Sequence, residues 1–151
     1  MGYIKELRKI VGSRPLIMVG ACIIIMNEQN EILLQHRKDN DCWGLIGGSM
    51  ELGESLEQVA YREMLEETGL NAKQLTLFKI YSGEDFYYQY PHGDEVYLVV
   101  AAYECKSYTG MLRHDKKEAF EVRFFPLNQL PSKFNPADQP IWMEYLKRGL
   151  S

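Results

Sequence analysis

The sequence predicts an α+β layered fold in a single domain, and three observations predict it. Short runs rich in β-branched and aromatic residues recur along the chain. One segment, Ser55–Gly69, carries both start and stop signals of a helix. The 151 residues, 46% hydrophobic and 25% charged, suit one globular unit that buries roughly two-thirds of its unfolded surface. No repeat, low-complexity tract or Pro/Gly/Ser linker divides residues 1–151.

Taken in order, residues 3–11 place Ile4, Leu7 and Ile10 or Val11 at helical spacing, which predicts a short amphipathic helix packed on the body and ending near Gly12. LIMVGACIIIM reads as a buried strand, and NEQN then EILLQHR as the turn and second strand of a hairpin. Leu75–Tyr81 and Glu95–Tyr103 read as strands, separated by a loop marked by Gly83, Pro91 and Gly93. Glu121–Phe125 is a further short strand. After Pro131, Pro136 and Pro140, IWMEYLKRGL predicts a terminal helix closed by Gly149. The strands read as mostly antiparallel.

Composition bounds the function. A net charge of −4 and a pI near 5.4 argue against a surface built to wrap nucleic acid, because neutralising several phosphates needs a clustered excess of Lys and Arg. Small phosphorylated ligands remain open. Cys22, Cys42 and Cys105 are isolated, without the spacing of a zinc site or disulfide framework, and read as ordinary thiols. The N-terminus lacks a signal-peptide pattern and the longest apolar runs fall short of a membrane span, so the expected location is cytoplasmic.

The central helix carries the chemistry. Ser55 caps it, Gln58 completes a capping box, Glu54 and Glu57 suit the N-terminal dipole and Gly69 supplies the stop. At about 100° per residue, Leu56, Val59, Ala60 and Met64 form a stripe roughly 140° wide. Glu63, Glu66 and Glu67 fall within or beside that stripe, each within about 80° of Leu56. The inward face therefore begins apolar and ends acidic. Glu63 with Glu66, and Glu63 with Glu67, are like-charge pairs at helical neighbour spacing, each costing about 0.2–0.5 kcal/mol even when exposed. Partial burial raises that cost unless a cation sits among them. A hard divalent ion, Mg²⁺ or Mn²⁺, resolves the conflict. Arg62 reaches Glu66, but one guanidinium cannot neutralise three carboxylates. Gly47, Gly48 and Gly53 permit a tight loop ahead of the helix, whose carbonyls can approach the metal.

Residues 48–70 resemble the Nudix hydrolase signature, G-x5-E-x7-R-E-U-x-E-E-x-G-U, where U is bulky and apolar. Gly48, Glu54, Arg62, Glu63, Met64, Glu66, Glu67, Gly69 and Leu70 fill every specified position. The resemblance implies a MutT-like α/β/α sandwich with a mixed sheet. It also implies hydrolysis of a nucleoside diphosphate linked to another moiety, cut at the pyrophosphate. Glu63, Glu66 and Glu67 then look like metal ligands, with the carbonyl of Gly47 as a further one, while Arg62 and Glu54 match the residues that orient them. Ile46 stands where family members commonly have proline, which leaves the loop without a fixed φ. A homodimer is an expectation from the resemblance alone.

The implied chemistry is attack of an activated water on phosphorus, with Mg²⁺ lowering the water's pKa. Glu63 and Glu118 are candidate bases, Glu121 a weaker one. For the substrate, the loop YSGEDFYYQYPHGDEVY concentrates aromatic residues that either stack on a base or pack in the core; of these Phe86 and Tyr88 are the candidates for stacking. Arg37 either reaches a phosphate or forms a surface salt bridge. His36, His92 and His114 are assigned no role, and Trp43 reads as a packing anchor. Expected substrates are a nucleoside triphosphate, a nucleotide sugar or ADP-ribose. The alternatives are a non-catalytic nucleotide-sensing module and an RNA 5′-end pyrophosphohydrolase, the latter disfavoured by the acidic pI.

Overall fold

The computed structural model describes residues 2–149. Its elements are α1 (Tyr3–Val11), β1 (Leu16–Ile25), β2 (Glu31–Arg37), β3 (Trp43–Gly44), β4 (Ile46–Ser49), α2 (Leu56–Thr68), β5 (Leu70–Tyr81), β6 (Tyr87–Gln89), β7 (Glu95–Gly110), β8 (Ala119–Pro126) and α3 (Gln139–Gly149).

A mixed sheet runs in the order β4-β1-β7-β5, with β6 also pairing β7, and a second sheet runs β3-β2-β8. Side chains of β1 alternate between two cores. Cys22 and Ile24 join Trp43, Phe125, Trp142 and Tyr145 on the α3 side. Ala21, Ile23 and Ile25 join Val59, Ala60 and Met64 on the α2 side. Burial on both faces is why β1 reads as an unbroken apolar run rather than an alternating one. The layers form an α/β/α sandwich.

The centre of the sheet differs from the expected antiparallel pattern, because β1 and β7 pair in parallel from Leu16↔Val96 to Ile25↔Cys105. A parallel pair needs a crossover connection, and here α2 lies within it. β5 starts at Leu70, earlier than the expected Leu75, and β7 continues to Gly110, beyond Tyr103. The added pairing is interrupted by register shifts between Ala72 and Lys79, which blur the period-two signal.

The start and stop of α2 are as expected. Ser55 Oγ accepts from the Gln58 N–H at 3.1 Å, the Gln58 side chain accepts from the Ser55 N–H at 2.8 Å, and Gly69 sits in the left-handed region at φ 75°. Trp43 is an anchor as expected, stacked on His36 with ring centroids 4.9 Å apart and edge-on to Phe125. Ile46 is the first residue of β4, paired with Ile23 and fully buried. Strand pairing and packing thus restrain the backbone that a proline ring would have restrained.

The expected amphipathic helix α1 is present, with Ile4, Leu7 and Val11 half-buried, no residue fully buried, and Ile10, the alternative to Val11, 81% exposed. Polar tethers fix its ends as well. Glu51 Oε1 accepts from the Tyr3 N–H at 2.8 Å, and Arg8 donates to the Glu95 carbonyl at 2.6 Å.

Candidate active site

Three elements meet at the acidic end of α2. The helix brings Glu63, Glu66 and Glu67; β4 brings Gly47 and Gly48; and β2 brings Gln35. The approach of α2 to β4 is so close that a Cβ on Gly48 would stand 2.4 Å from the Glu63 carboxyl carbon. A glycine there leaves the Glu63 carboxylate where it lies, and a larger residue would push it aside.

Each carboxylate has its own surroundings. Glu67 is buried, and its Oε1 accepts from Gln35 Nε2 at 2.7 Å and from the Gly47 N–H at 3.3 Å. Burial, then the neighbouring Glu63 charge, push its carboxyl well above the usual range, against those two hydrogen bonds. Burial likewise raises Glu63. Glu66 is the open member, its side chain 55% exposed.

Arg62 organises the outer side. It donates to Glu54 at 2.7 and 2.8 Å, to Glu63 at 2.7 Å, to Glu66 at 3.4 Å and to the Ser49 carbonyl at 3.0 Å. The Arg62 bond holds Glu54 below the usual carboxylate range. One guanidinium therefore joins the loop, the helix start and two of the three acids. Among the described residues, no three His, Cys, Asp or Glu side chains stand in ready ligating geometry. Glu63 and Glu66 bond to Arg62 and Glu67 to Gln35, and Glu63 and Glu67 are also hydrogen-bonded to each other.

The acids open into a cavity of about 530 Å³ that also meets Arg37, Asp39, Glu118 and the α1 residues Lys5 and Arg8. Arg37 lies in that wall with a paired guanidinium, bonded to both Asp39 oxygens at 2.9 and 2.6 Å. Glu118 is exposed at the cavity. Glu121 pairs with Arg123 at 3.9 Å and does not line the cavity. A second cavity of about 170 Å³ shares Met18, Arg37, Gly47, Gly48, Ser49 and Tyr90 with the first and is otherwise lined by residues such as Tyr88, Leu98, Val100, Asn135 and Asp138.

Phe86 is a correction. It is 6% exposed and packs on Tyr81 with ring centroids 5.3 Å apart, so no face is left for a base. A short 3₁₀ turn over Glu84–Phe86 folds it inward. Tyr88 instead lines the second cavity, and its hydroxyl accepts from Asn40 Nδ2 at 3.0 Å.

The fold, the acidic helix end and the glycine approach together point to one family, and the family model of the NUDIX domain matches residues 16–145. The chain belongs to the NUDIX domain family. The ADP-ribose pyrophosphatase of Methanocaldococcus jannaschii is 39% identical over 114 residues, 71% of this chain and 61% of that protein. The MutT NUDIX hydrolase of Burkholderia pseudomallei superposes with a TM-score of 0.70 at 27% identity, covering 84% of this chain and 95% of that one. The NUDIX domain of Shewanella oneidensis NrtR, solved with ADP ribose, shares the fold at a TM-score of 0.70 and 19% identity, with both chains fully covered. Against three curated relatives, the chain spans 40% to 61% of their length.

Several residues at this Nudix site were not singled out from sequence. Gln35 follows three fully buried residues of β2, a polar break in an apolar run that was a usable signal. Asn135 and Asp138 left none, because they come from a loop about 90 residues beyond their partners Trp43 and Leu45. There Asp138 Oδ2 accepts from the Leu45 N–H at 2.9 Å and from Asn135 Nδ2 at 2.9 Å.

Proposed function

We propose that this Nudix chain is a Mg²⁺-dependent pyrophosphohydrolase that cleaves a nucleoside diphosphate linked to another moiety, and that it works in the cytoplasm on small nucleotides. The observation that carries it is the Glu63–Glu67 pair. Two mutually repelling acids are held in a largely buried setting whose donors are all hard oxygens, and a divalent cation relieves that conflict. Glu63, Glu66 and Glu67 would hold the ion, with Mn²⁺ as a substitute and Gly47 beside them. When bound, the ion offsets charge on the phosphate oxygens and lowers the pKa of the attacking water.

The chain's own residues do the rest. Arg62, itself oriented by Glu54, keeps Glu63 aimed at the cavity. Glu63 or Glu118 accepts the proton of the attacking water as the new P–O bond forms and the bridging P–O bond breaks. Arg37 lines the cavity wall, its guanidinium committed to Asp39.

We assign the nucleoside to the second cavity. Leu98 and Val100 supply an apolar wall, Tyr88 an aromatic edge, and Asn135 with Asp138 polar groups for a base edge. The Asp138 Oδ2 atom carries both of its hydrogen bonds, which leaves Oδ1 for a ligand. ADP-ribose leads the list of substrates because of the 39% identity to a protein named for that activity.

Phosphate release, coupled to a phosphatase or pyrophosphatase, is measured over nucleoside triphosphates, dinucleoside polyphosphates, nucleotide sugars and ADP-ribose, with Mg²⁺ or EDTA. Turnover of one class, abolished by EDTA, is the expected result. Silence across the panel, with one compound still raising the melting temperature, would make the chain a nucleotide sensor.

A further inference from the structure

Helix α1 packs lightly, with Ile4, Leu7 and Val11 half-buried and no residue fully buried. Ile4, Lys5 and Arg8 line the same cavity as Glu63, Glu66 and Glu67. At about 100° per residue those three positions span an arc of roughly 100°, so one side of the helix faces the cavity. Polar contacts anchor it at both ends. Glu51 accepts from the first N–H of the helix, and the Glu51 N–H in turn donates to Glu54, which Arg62 holds. At the other end Arg8 spans the Gly12, Arg14 and Glu95 carbonyls and stands 3.5 Å from Asp94. A chain of polar contacts thus runs from the start of α1 to the acids of α2.

The charges in the cavity wall are unevenly committed. Arg37 is bound to Asp39, Arg8 is near Asp94, and the His92 ring is 3.5 Å from the same Asp94. Among the described residues, Lys5 is the cavity cation without a carboxylate partner. A diphosphate entering an otherwise acidic cavity needs positive charge beyond that of the metal, and a cation already spent on a carboxylate supplies little.

We propose, resting on the pyrophosphate reading of the site, that α1 is part of the substrate site and that Lys5 binds a phosphate oxygen of the substrate. The lysine comes from outside residues 48–70 and outside the region 16–145 that the family model matches.

The probe is methylenediphosphonate, a pyrophosphate analogue that water does not cleave, titrated with Mg²⁺ into the wild type and into Lys5→Ala, Lys5→Arg and Lys9→Ala. Lys9 is exposed on the same helix and does not line the cavity. Lys5→Ala is expected to weaken binding about tenfold, one charged hydrogen bond's worth, with an unchanged melting temperature. Lys5→Arg retains most of the affinity and Lys9→Ala all of it. On the nucleotide the wild type turns over, Lys5→Ala raises KM by a similar factor and leaves kcat within about twofold. Equal affinity of Lys5→Ala and wild type overturns the proposal and leaves the pyrophosphate reading standing, as does an equal loss in Lys9→Ala. A wild type that binds no methylenediphosphonate overturns both.

Discussion

The Gln35 amide on β2 donates to Glu67 Oε1 on α2 across 2.7 Å, with both side chains buried. That bond sets Glu67 apart from Glu66, while Glu63 and Glu67 are hydrogen-bonded to each other. Glu63 and Glu66 are held by Arg62 from the outer side, so the acid with the least water around it is the one tied directly to the sheet. The consequences of that division can be measured.

Glu67→Gln keeps an acceptor for Gln35 and Gly47 but removes a buried charge beside Glu63. Mg²⁺-dependent turnover is expected to fall by about 100-fold or more, the upper end of losses at metal sites. In EDTA the melting temperature stays equal or rises, since a repulsion is gone. Mg²⁺ raises the melting temperature of the wild type by mass action and that of the variant much less. Undiminished turnover would remove Glu67 from the metal set.

Arg62→Lys preserves charge and loses the fork that reaches Glu54, Glu63 and Glu66 together. The Mg²⁺ concentration for half-maximal activity is expected to rise by about 10- to 100-fold. An unchanged metal requirement would mean that the guanidinium is structural only.

Two adjacent glycines separate stability from activity. A Cβ on Gly47 would stand 2.4 Å from the Ala21 carbonyl oxygen and 2.8 Å from the Cys22 Cα, both backbone. Gly47→Ala is expected to cost about 1–3 kcal/mol of stability in denaturant titrations. The Gly48 Cβ meets the Glu63 carboxyl group, which can swing aside. Gly48→Ala should therefore fold nearly as well and lose about 100-fold in kcat/KM through a displaced carboxylate. Equal stability losses in both would contradict this reading.

Phe86→Ala and Tyr88→Ala test where the nucleoside lies. The first empties a core position and is expected to cost about 3–5 kcal/mol with KM unchanged in the folded fraction. The second acts on the wall of the smaller cavity and raises KM with a smaller loss of stability. A raised KM in Phe86→Ala at full folding would restore that ring to the site.

Asp138 supplies a pH signature. Burial raises its carboxyl above the ordinary 3.8. Between 3.8 and the folded value, the native state holds a proton that the unfolded chain has lost, so stability falls as pH rises through that window and is flat beyond it. Asp138→Asn keeps an acceptor for Leu45 and Asn135 and cannot ionise. The wild type is expected to lose stability relative to this variant from about pH 4 upward in urea titrations without metal. Parallel curves would show an unshifted carboxyl.

Sequence by itself determined the local matters: the extent of α2, its capping box and left-handed stop, the inward tilt of Glu63 and Glu67, though not of the exposed Glu66, and the apolar run of β1. These depend on spacing within a dozen residues, where helix geometry and capping chemistry act directly. The family signature spans a similarly short stretch. Tertiary structure alone decided which residues from far along the chain join that helix. It paired β1 with β7 in parallel, turned Phe86 into the core, brought Asp138 to Leu45 and put Lys5 in the wall of the cavity that the acids line. Such contacts leave no periodic trace, because they are set by layer packing and by polar tethers such as Glu51 to Tyr3. A lone lysine on an exposed helix looks the same in sequence whether it faces bulk water or a cavity.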